Sequence, residues 1–143
     1  MEEALAVHVP DGPALEARLG PLANATGGFV ICHPHPLYGG DMDNPVVIRA
    51  AEVARAAGHA TLRFNFRGAG RSEGVHDKGR GEQADVTAAM AALTTHLPAG
   101  CRVGVIGYSF GAAMAARATR PGAPAAPLGL IAPPLGMYEL DFL

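Results

Sequence analysis

Residues 102–116, Arg-Val-Gly-Val-Ile-Gly-Tyr-Ser-Phe-Gly-Ala-Ala-Met-Ala-Ala, leave the backbone little choice. A short apolar run ends at Gly107, an alanine-rich run begins after Gly111, and Ser109 stands midway between the two glycines. Glycine two residues before and two after the serine lets backbones approach closely where a strand turns straight into a helix. The segment therefore predicts a strand, a tight turn with Ser109 at its apex, and a helix from about Phe110.

That is the pattern of a nucleophile elbow, in which a strained turn exposes a serine hydroxyl at the end of a parallel strand. The following helix aims its positive end at the serine, and the backbone N–H of Phe110 is one candidate oxyanion donor. A second donor is expected from the loop His33-Pro34-His35-Pro36-Leu37-Tyr38-Gly39-Gly40. Pro34 and Pro36 have no N–H, and among the remaining residues Leu37 or Tyr38 is favoured. Such a serine works with a histidine base that follows it in the chain, yet all six histidines, at 8, 33, 35, 59, 76 and 96, precede Ser109.

The rest of the chain supplies the setting. Residues 4–9 and 14–19 read as an antiparallel hairpin across the turn Pro10-Asp11-Gly12-Pro13. Residues 28–32, Gly-Phe-Val-Ile-Cys, are a continuous apolar run of the kind a strand covered on both faces requires. Asn44-Pro45 opens a helix whose Val46, Ala50, Val53, Ala54 and Ala57 share a face, with Gly58 to stop it. Residues 61–66 alternate as a strand, with Leu62, Phe64 and Phe66 opposite Arg63 and Asn65, so its outward face is expected to be only partly covered. Val86, Ala89, Met90, Leu93 and Leu97 have helical spacing, and residues 128–132 form a last strand stopped by Pro133-Pro134. Strands alternating with helices after a hairpin indicate an α/β fold with a mainly parallel sheet.

Several other chemistries are set aside by composition and spacing. The 143 residues suit one domain, 1–143; 49% are hydrophobic and the net charge is -2, which gives no electrostatic case for nucleic acid. The acidic amino terminus is unlike a signal peptide, and no apolar stretch approaches the roughly 20 residues that span a bilayer. A cytoplasmic protein is expected, without membrane contact. Cys32 and Cys101 lie in apolar runs and are read as small buried hydrophobes. His33, His35, Asp41 and Asp43 contain zinc-ligand types, but alternating prolines stiffen the segment, and these side chains are expected to hold the loop's shape. The glycine-rich run 67–74 fails both nucleotide-loop spacings: Glu73 stands where a dinucleotide fingerprint needs glycine, and Arg71 where a phosphate loop needs lysine. Residues 121–127, Pro-Gly-Ala-Pro-Ala-Ala-Pro, read as a loop between two elements.

Taken together, residues 33–44, 63–74, 81–85, the serine turn and Ile131-Ala132-Pro133-Pro134 resemble a bacterial α/β-hydrolase family. Its members carry a His-Pro-His-Pro-Leu-Tyr-Gly-Gly loop, an Arg-Phe-Asn-Phe-Arg-Gly segment and a Gly-Tyr-Ser-Phe-Gly elbow. The resemblance implies an α/β-hydrolase fold with a doubly wound sheet and an N-terminal antiparallel hairpin. It also implies Ser109 as nucleophile and hydrolysis of an ester or similar acyl bond through an acyl-enzyme, with no cofactor and no metal. In that family the acid and the histidine come later than Ile131-Ala132-Pro133-Pro134, so the chain is expected to lack the last strands and helices, roughly 60 to 70 residues at about 30 per βαβ step.

Within the sequence, His35 is the substitute base to consider, and Glu139 or Asp141 the acid. The small-molecule partner implied is an acyl substrate. The alternatives are a non-catalytic scaffold that binds a ligand or a protein, pairing with its own kind through an exposed sheet edge, and a metal-dependent hydrolase using His33 and His35.

Overall fold

The period of the apolar residues carries directly into the elements of the chain, of which a computed structural model describes residues 1–120, 126–138 and 140. Strands β1 (Glu3–His8) and β2 (Ala14–Leu19) form the antiparallel hairpin, paired from Glu3↔Leu19 to His8↔Ala14. In its turn Gly12 N–H donates to Val9 O at 2.9 Å and Val9 N–H to Pro13 O at 3.1 Å. Then follow β3 (Gly27–Cys32), α1 (Pro45–Ala56), β4 (Ala60–Phe64), α2 (Gly81–His96), β5 (Arg102–Tyr108), α3 (Phe110–Ala118) and β6 (Leu128–Ile131). The strands make one sheet in the order β1-β2-β4-β3-β5-β6, with β4, β3, β5 and β6 mutually parallel and β2 antiparallel to β4. The expected mixed, mostly parallel sheet with its N-terminal hairpin is what forms.

Strand β3 lies inside this sheet and is covered on both faces, as its unbroken apolar sequence requires. Val30 and Cys32 face α2 and α3, packing with Leu62, Phe64, Phe66, Leu93, Val105, Phe110 and Met114. Ile31 faces the other way, onto Val47 and Ala51 of α1. Burial pushes the Cys32 thiol far above its ordinary range, the Asp85 charge adding to it, and both cysteines are free.

Five details depart from the sequence reading. Helix α1 starts as expected, with Asn44 Oδ1 accepting from Val46 N–H at 2.9 Å, but it buries Val47, Ala51 and Ala54. Of the expected face only Ala54 is buried; Val46, Ala50, Val53 and Ala57 line an open groove of about 690 Å³ with Phe29, Ile106 and Ile131. The helix is apolar around more than half its circumference, and the sheet takes the side that meets Ile31. Strand β4 stops at Phe64: Asn65 N–H still donates to Glu16 O of β2 at 2.8 Å, but Asn65 O accepts from Ser72 Oγ at 2.6 Å and Phe66 N–H donates to His33 Nε2 at 3.0 Å, so side chains end the ladder there. Helix α2 begins at Gly81, five residues before its first apolar-periodic residue, and its opening residues bury the carboxylates of Glu82 and Asp85. Strand β5 runs on to Tyr108, which pairs with Ile131, while Ala132 at φ 49° ends β6.

The outward face of β4 is covered by charge: Arg63 bonds Glu2 at 2.8 Å and Asp43 at 2.7 Å. Glu139, Asp141 and residues 121–125 lie outside the described residues.

Candidate functional site

Ser109 sits at the apex between β5 and α3 with φ 55° and ψ −116°. A side chain held at positive φ costs on the order of 1–3 kcal/mol and persists only where its surroundings impose it. Here they do. Ser109 N–H donates to Ile131 O at 2.9 Å, and Ser109 O accepts from Ala112 N–H at 2.9 Å and Ala113 N–H at 3.2 Å. A Cβ on Gly107 would overlap the carbonyl oxygen of Gly111, and one on Gly111 the carbonyl oxygens of Cys32 and His33. The turn is thus pressed against the end of β3, which only paired glycines permit.

Phe110, the first residue of α3, is buried, and no backbone acceptor among the described residues meets its N–H. Its ring is a hub: His35 lies 4.9 Å away, Phe66 5.4 Å, His76 5.7 Å and Tyr138 5.9 Å, centre to centre.

The loop after β3 turns through a short 3₁₀ segment, Pro36–Tyr38. Leu37 N–H donates to His35 Nδ1 at 3.2 Å, and Tyr38 N–H to His35 O at 3.1 Å. Both candidate donors are therefore engaged within their own loop. Accepting at Nδ1 places the proton of a neutral His35 ring on Nε2. Burial, with the neighbouring His76 charge, holds the His35 pKa below the usual imidazole range, against the pull of Glu82.

His33, two residues earlier, has no free nitrogen. Its Nε2 accepts from Phe66 N–H at 3.0 Å, so Nδ1 carries the proton and meets Pro34 O at 2.6 Å. Burial lowers its pKa from 6.5 to about 4. A depressed imidazole pKa means that the neutral ring stabilises the fold above pH 6.5 and that this support is lost as pH falls through 4. At 1.36 kcal/mol per pH unit the whole contribution is about 3 kcal/mol. Urea unfolding at pH 7 and pH 4.5 should show a steeper fall for the unsubstituted chain than for His33→Gln, which keeps a donor and an acceptor but does not titrate. Equal slopes would place the acid sensitivity elsewhere.

The residues that sequence reasoning left without a role are His76, Glu82 and Asp85. Glu82 is buried, accepts from Asp77 N–H at 2.7 Å and Gly79 N–H at 3.0 Å, and lies 3.0 Å from His76 Nδ1, off the line of a good hydrogen bond. Asp85, also buried, accepts from Arg67 Nη2 at 2.7 Å, Arg67 Nε at 3.0 Å and Arg67 N–H at 3.0 Å. Its hydrogen bond to the carboxylate raises the Arg67 pKa, whereas burial outweighs the guanidinium and raises that of Asp85. Two acids three apart on one helical face, at the start of an alanine-rich helix and next to a glycine-rich loop, were the available signal. They pin residues 67–80 against the site. Ser72 adds to this, its Oγ donating to Asn65 O at 2.6 Å and accepting from Glu16 N–H at 2.8 Å. Both His33 nitrogens and His35 Nδ1 are engaged by backbone groups, and among the described residues no three His, Cys, Asp or Glu side chains converge as a metal site. Nor is any helix among them long and apolar enough to cross a membrane.

The sequence matches the family described as alpha/beta hydrolase fold over residues 29–120. A Coxiella burnetii structure described as an alpha-beta serine hydrolase homologue is 36% identical, with a TM-score of 0.85 over 96% of this chain and 65% of that one. A Xanthomonas campestris structure described as an α/β serine hydrolase without lid is 33% identical, with a TM-score of 0.88 over 98% of this chain and 65% of that one. An uncharacterized Rickettsia prowazekii protein is 43% identical over 83 residues, 58% of this chain and 35% of that protein. The chain thus spans about two thirds of the length of these structures and about a third of the Rickettsia protein.

Proposed function

The chain belongs to the alpha/beta hydrolase fold family, and on that footing we propose that Ser109 is the nucleophile of a serine hydrolase that cleaves esters or related acyl bonds. The observation that carries the reading is the positive φ of Ser109 at the end of β5, with Phe110 N–H unclaimed beside it. Within the family, the match of residues 33–40, 63–68 and 107–111 favours the bacterial hydrolases that share those three motifs.

In the proposed step Ser109 Oγ forms a bond to the acyl carbon while its proton passes to an imidazole. The carbonyl electrons move onto oxygen, beside Phe110 N–H at the amino end of α3. The alcohol then leaves with a proton, and water releases the acid from Ser109. A second donor from Leu37 or Tyr38 must exchange His35 for the oxyanion, a short movement within an exposed loop. His33 is excluded as base by its two hydrogen bonds. The resemblance assigns the base to chain beyond Ser109, in the share of the relatives' length that residues 1–143 do not span.

The test is an alkyl fluorophosphonate applied to the protein as its gene encodes it: a Ser109 Oγ–P bond forms and fluoride leaves. Mass mapping is expected to find the adduct on Ser109, with labelling reduced at least a hundredfold in Ser109→Ala. An unlabelled Ser109 would instead favour a non-catalytic scaffold that binds a ligand or a protein.

A further inference from the structure

We propose that Glu82 is a positioning residue of the serine site: through His76 it fixes the His35 ring, and with it the loop after β3 that faces the serine turn. What this does for catalysis rests on Ser109 being the reacting residue; the placement of His35 does not. His35 is the residue around which that loop is folded. Its Nδ1 accepts from Leu37 N–H at 3.2 Å, and its carbonyl oxygen from Tyr38 N–H at 3.1 Å and Gly40 N–H at 3.0 Å. Its ring meets three others: Tyr38 at 4.7 Å within the loop, and His76 and Phe110, each at 4.9 Å, from outside it. Phe110 is set by α3, whose first residue it is. His76 stands on the long segment between β4 and α2, with no helix or strand to fix it.

Glu82 supplies that hold. Its side chain is fully buried; one carboxylate oxygen accepts from Gly79 N–H at 3.0 Å, and the other accepts from Asp77 N–H at 2.7 Å and lies 3.0 Å from His76 Nδ1. His76 Nδ1 is itself buried and has no aligned partner among the described residues, so the facing carboxylate is the group that offsets its burial. With His76 protonated, the attraction between the two unit charges depends on their separation and not on alignment. The two backbone bonds alone would make Glu82 a tie within its own loop. Its charge goes further. Burial, and then the His76 charge, lower the His35 pKa and Glu82 opposes them; burial raises the Tyr138 pKa and Glu82 adds to it. One enclosed carboxylate thus acts on a ring from each of the three loops that meet at Phe110. Every one of these contacts is made within residues 1–143, and none depends on an exposed surface.

Two variants of the protein as its gene encodes it carry the test. Glu82→Gln removes the charge, and His76→Asn keeps a donor for Glu82 while removing the ring beside His35. The His35 Hε1 resonance, displaced by the rings of His76 and Phe110, is read by NMR and should lose most of that displacement in each variant. Turnover of p-nitrophenyl acetate is counted per site titrated with fluorophosphonate, so that unfolded chains do not enter. It should fall at least about tenfold in kcat, with KM within about twofold, because Glu82 touches no substrate. Glu73, an exposed carboxylate of the same segment that holds Ala14 N–H at 3.0 Å, gives the control. Glu73→Gln should leave both readings unchanged. An unmoved His35 resonance in Glu82→Gln, an unchanged kcat per site, or an equal loss in Glu73→Gln would overturn the proposal; His76→Asn decides in the same way if Glu82→Gln does not fold. The two readings part cleanly: a parent whose Ser109 resists fluorophosphonate but whose His35 resonance moves with Glu82→Gln upholds Glu82 as the group that places His35 and removes the nucleophile.

Discussion

Replacing Asp85 by alanine is expected to lower the unfolding free energy by about 3–5 kcal/mol, the cost of leaving a desolvated charge without its partner. The carboxylate is fully buried and takes three donors from Arg67, two from the guanidinium and one from the backbone. Arg67 keeps only 16% of its side chain in water, so hydration cannot replace them. The loss is one of pairing rather than of attraction as such. The double variant Arg67→Met/Asp85→Leu, which removes both charges, should therefore recover most of the stability lost by Asp85→Ala, and a double-mutant cycle in urea reads this directly. A second consequence is local. Arg67 opens the segment that brings His76 to Phe110, so labelling of Ser109 should slow in Asp85→Ala even at temperatures where the chain remains folded. A destabilisation below about 1 kcal/mol would mean that the segment is held by other contacts.

Gly111→Ala sets two effects of opposite sign against each other. Alanine in a helix is favoured over glycine by about 1 kcal/mol, and Gly111 is the second residue of α3. Its missing side chain, however, is where the carbonyl oxygens of Cys32 and His33 lie, and backbone at the end of a central strand cannot give way as a flexible side chain would. Overlap should win, costing about 3 kcal/mol or more and lowering the melting temperature by on the order of 10 °C. Gly129→Ala is the matched control, since a Cβ there meets Ile106 at an ordinary 3.5 Å and should change stability by less than about 1 kcal/mol. Calorimetry on the two variants separates them. Equal melting temperatures would show that the serine turn relaxes more easily than its contacts imply.

Much of this arrangement was legible in the residue pattern. The continuous apolar run in β3, the turn chemistry of residues 10–13 and the Asn44-Pro45 helix start each acted as their local chemistry dictates. So did the serine turn, where small residues on both sides mark a close backbone approach whatever the rest of the chain does. The face of α1 was not legible. Its alanines and valines cover more than half the helix, and which of them turn inward was decided by Ile31 on a strand before it. Asn65 and Phe66 continue the alternation of β4, yet its ladder ends there, because side chains from other segments reach their backbones: Ser72 Oγ at Asn65 O and His33 Nε2 at Phe66 N–H.

The candidate site divides along the same line. Placing Ser109 and Phe110 together needs only neighbours in sequence, and the sequence alone determined the turn, its glycines and the N–H at the start of α3. The tertiary structure decided what surrounds them. It committed both nitrogens of His33, turned the N–H groups of Leu37 and Tyr38 onto His35, and buried Glu82 and Asp85 beneath a glycine-rich segment. It also gathered His35, His76 and Tyr138 around one phenylalanine. Backbone sterics and apolar periodicity act over a few residues and can be read in order. The partner of a buried polar group is fixed only when distant segments meet, because any of several donors and acceptors would satisfy it until packing leaves one within reach.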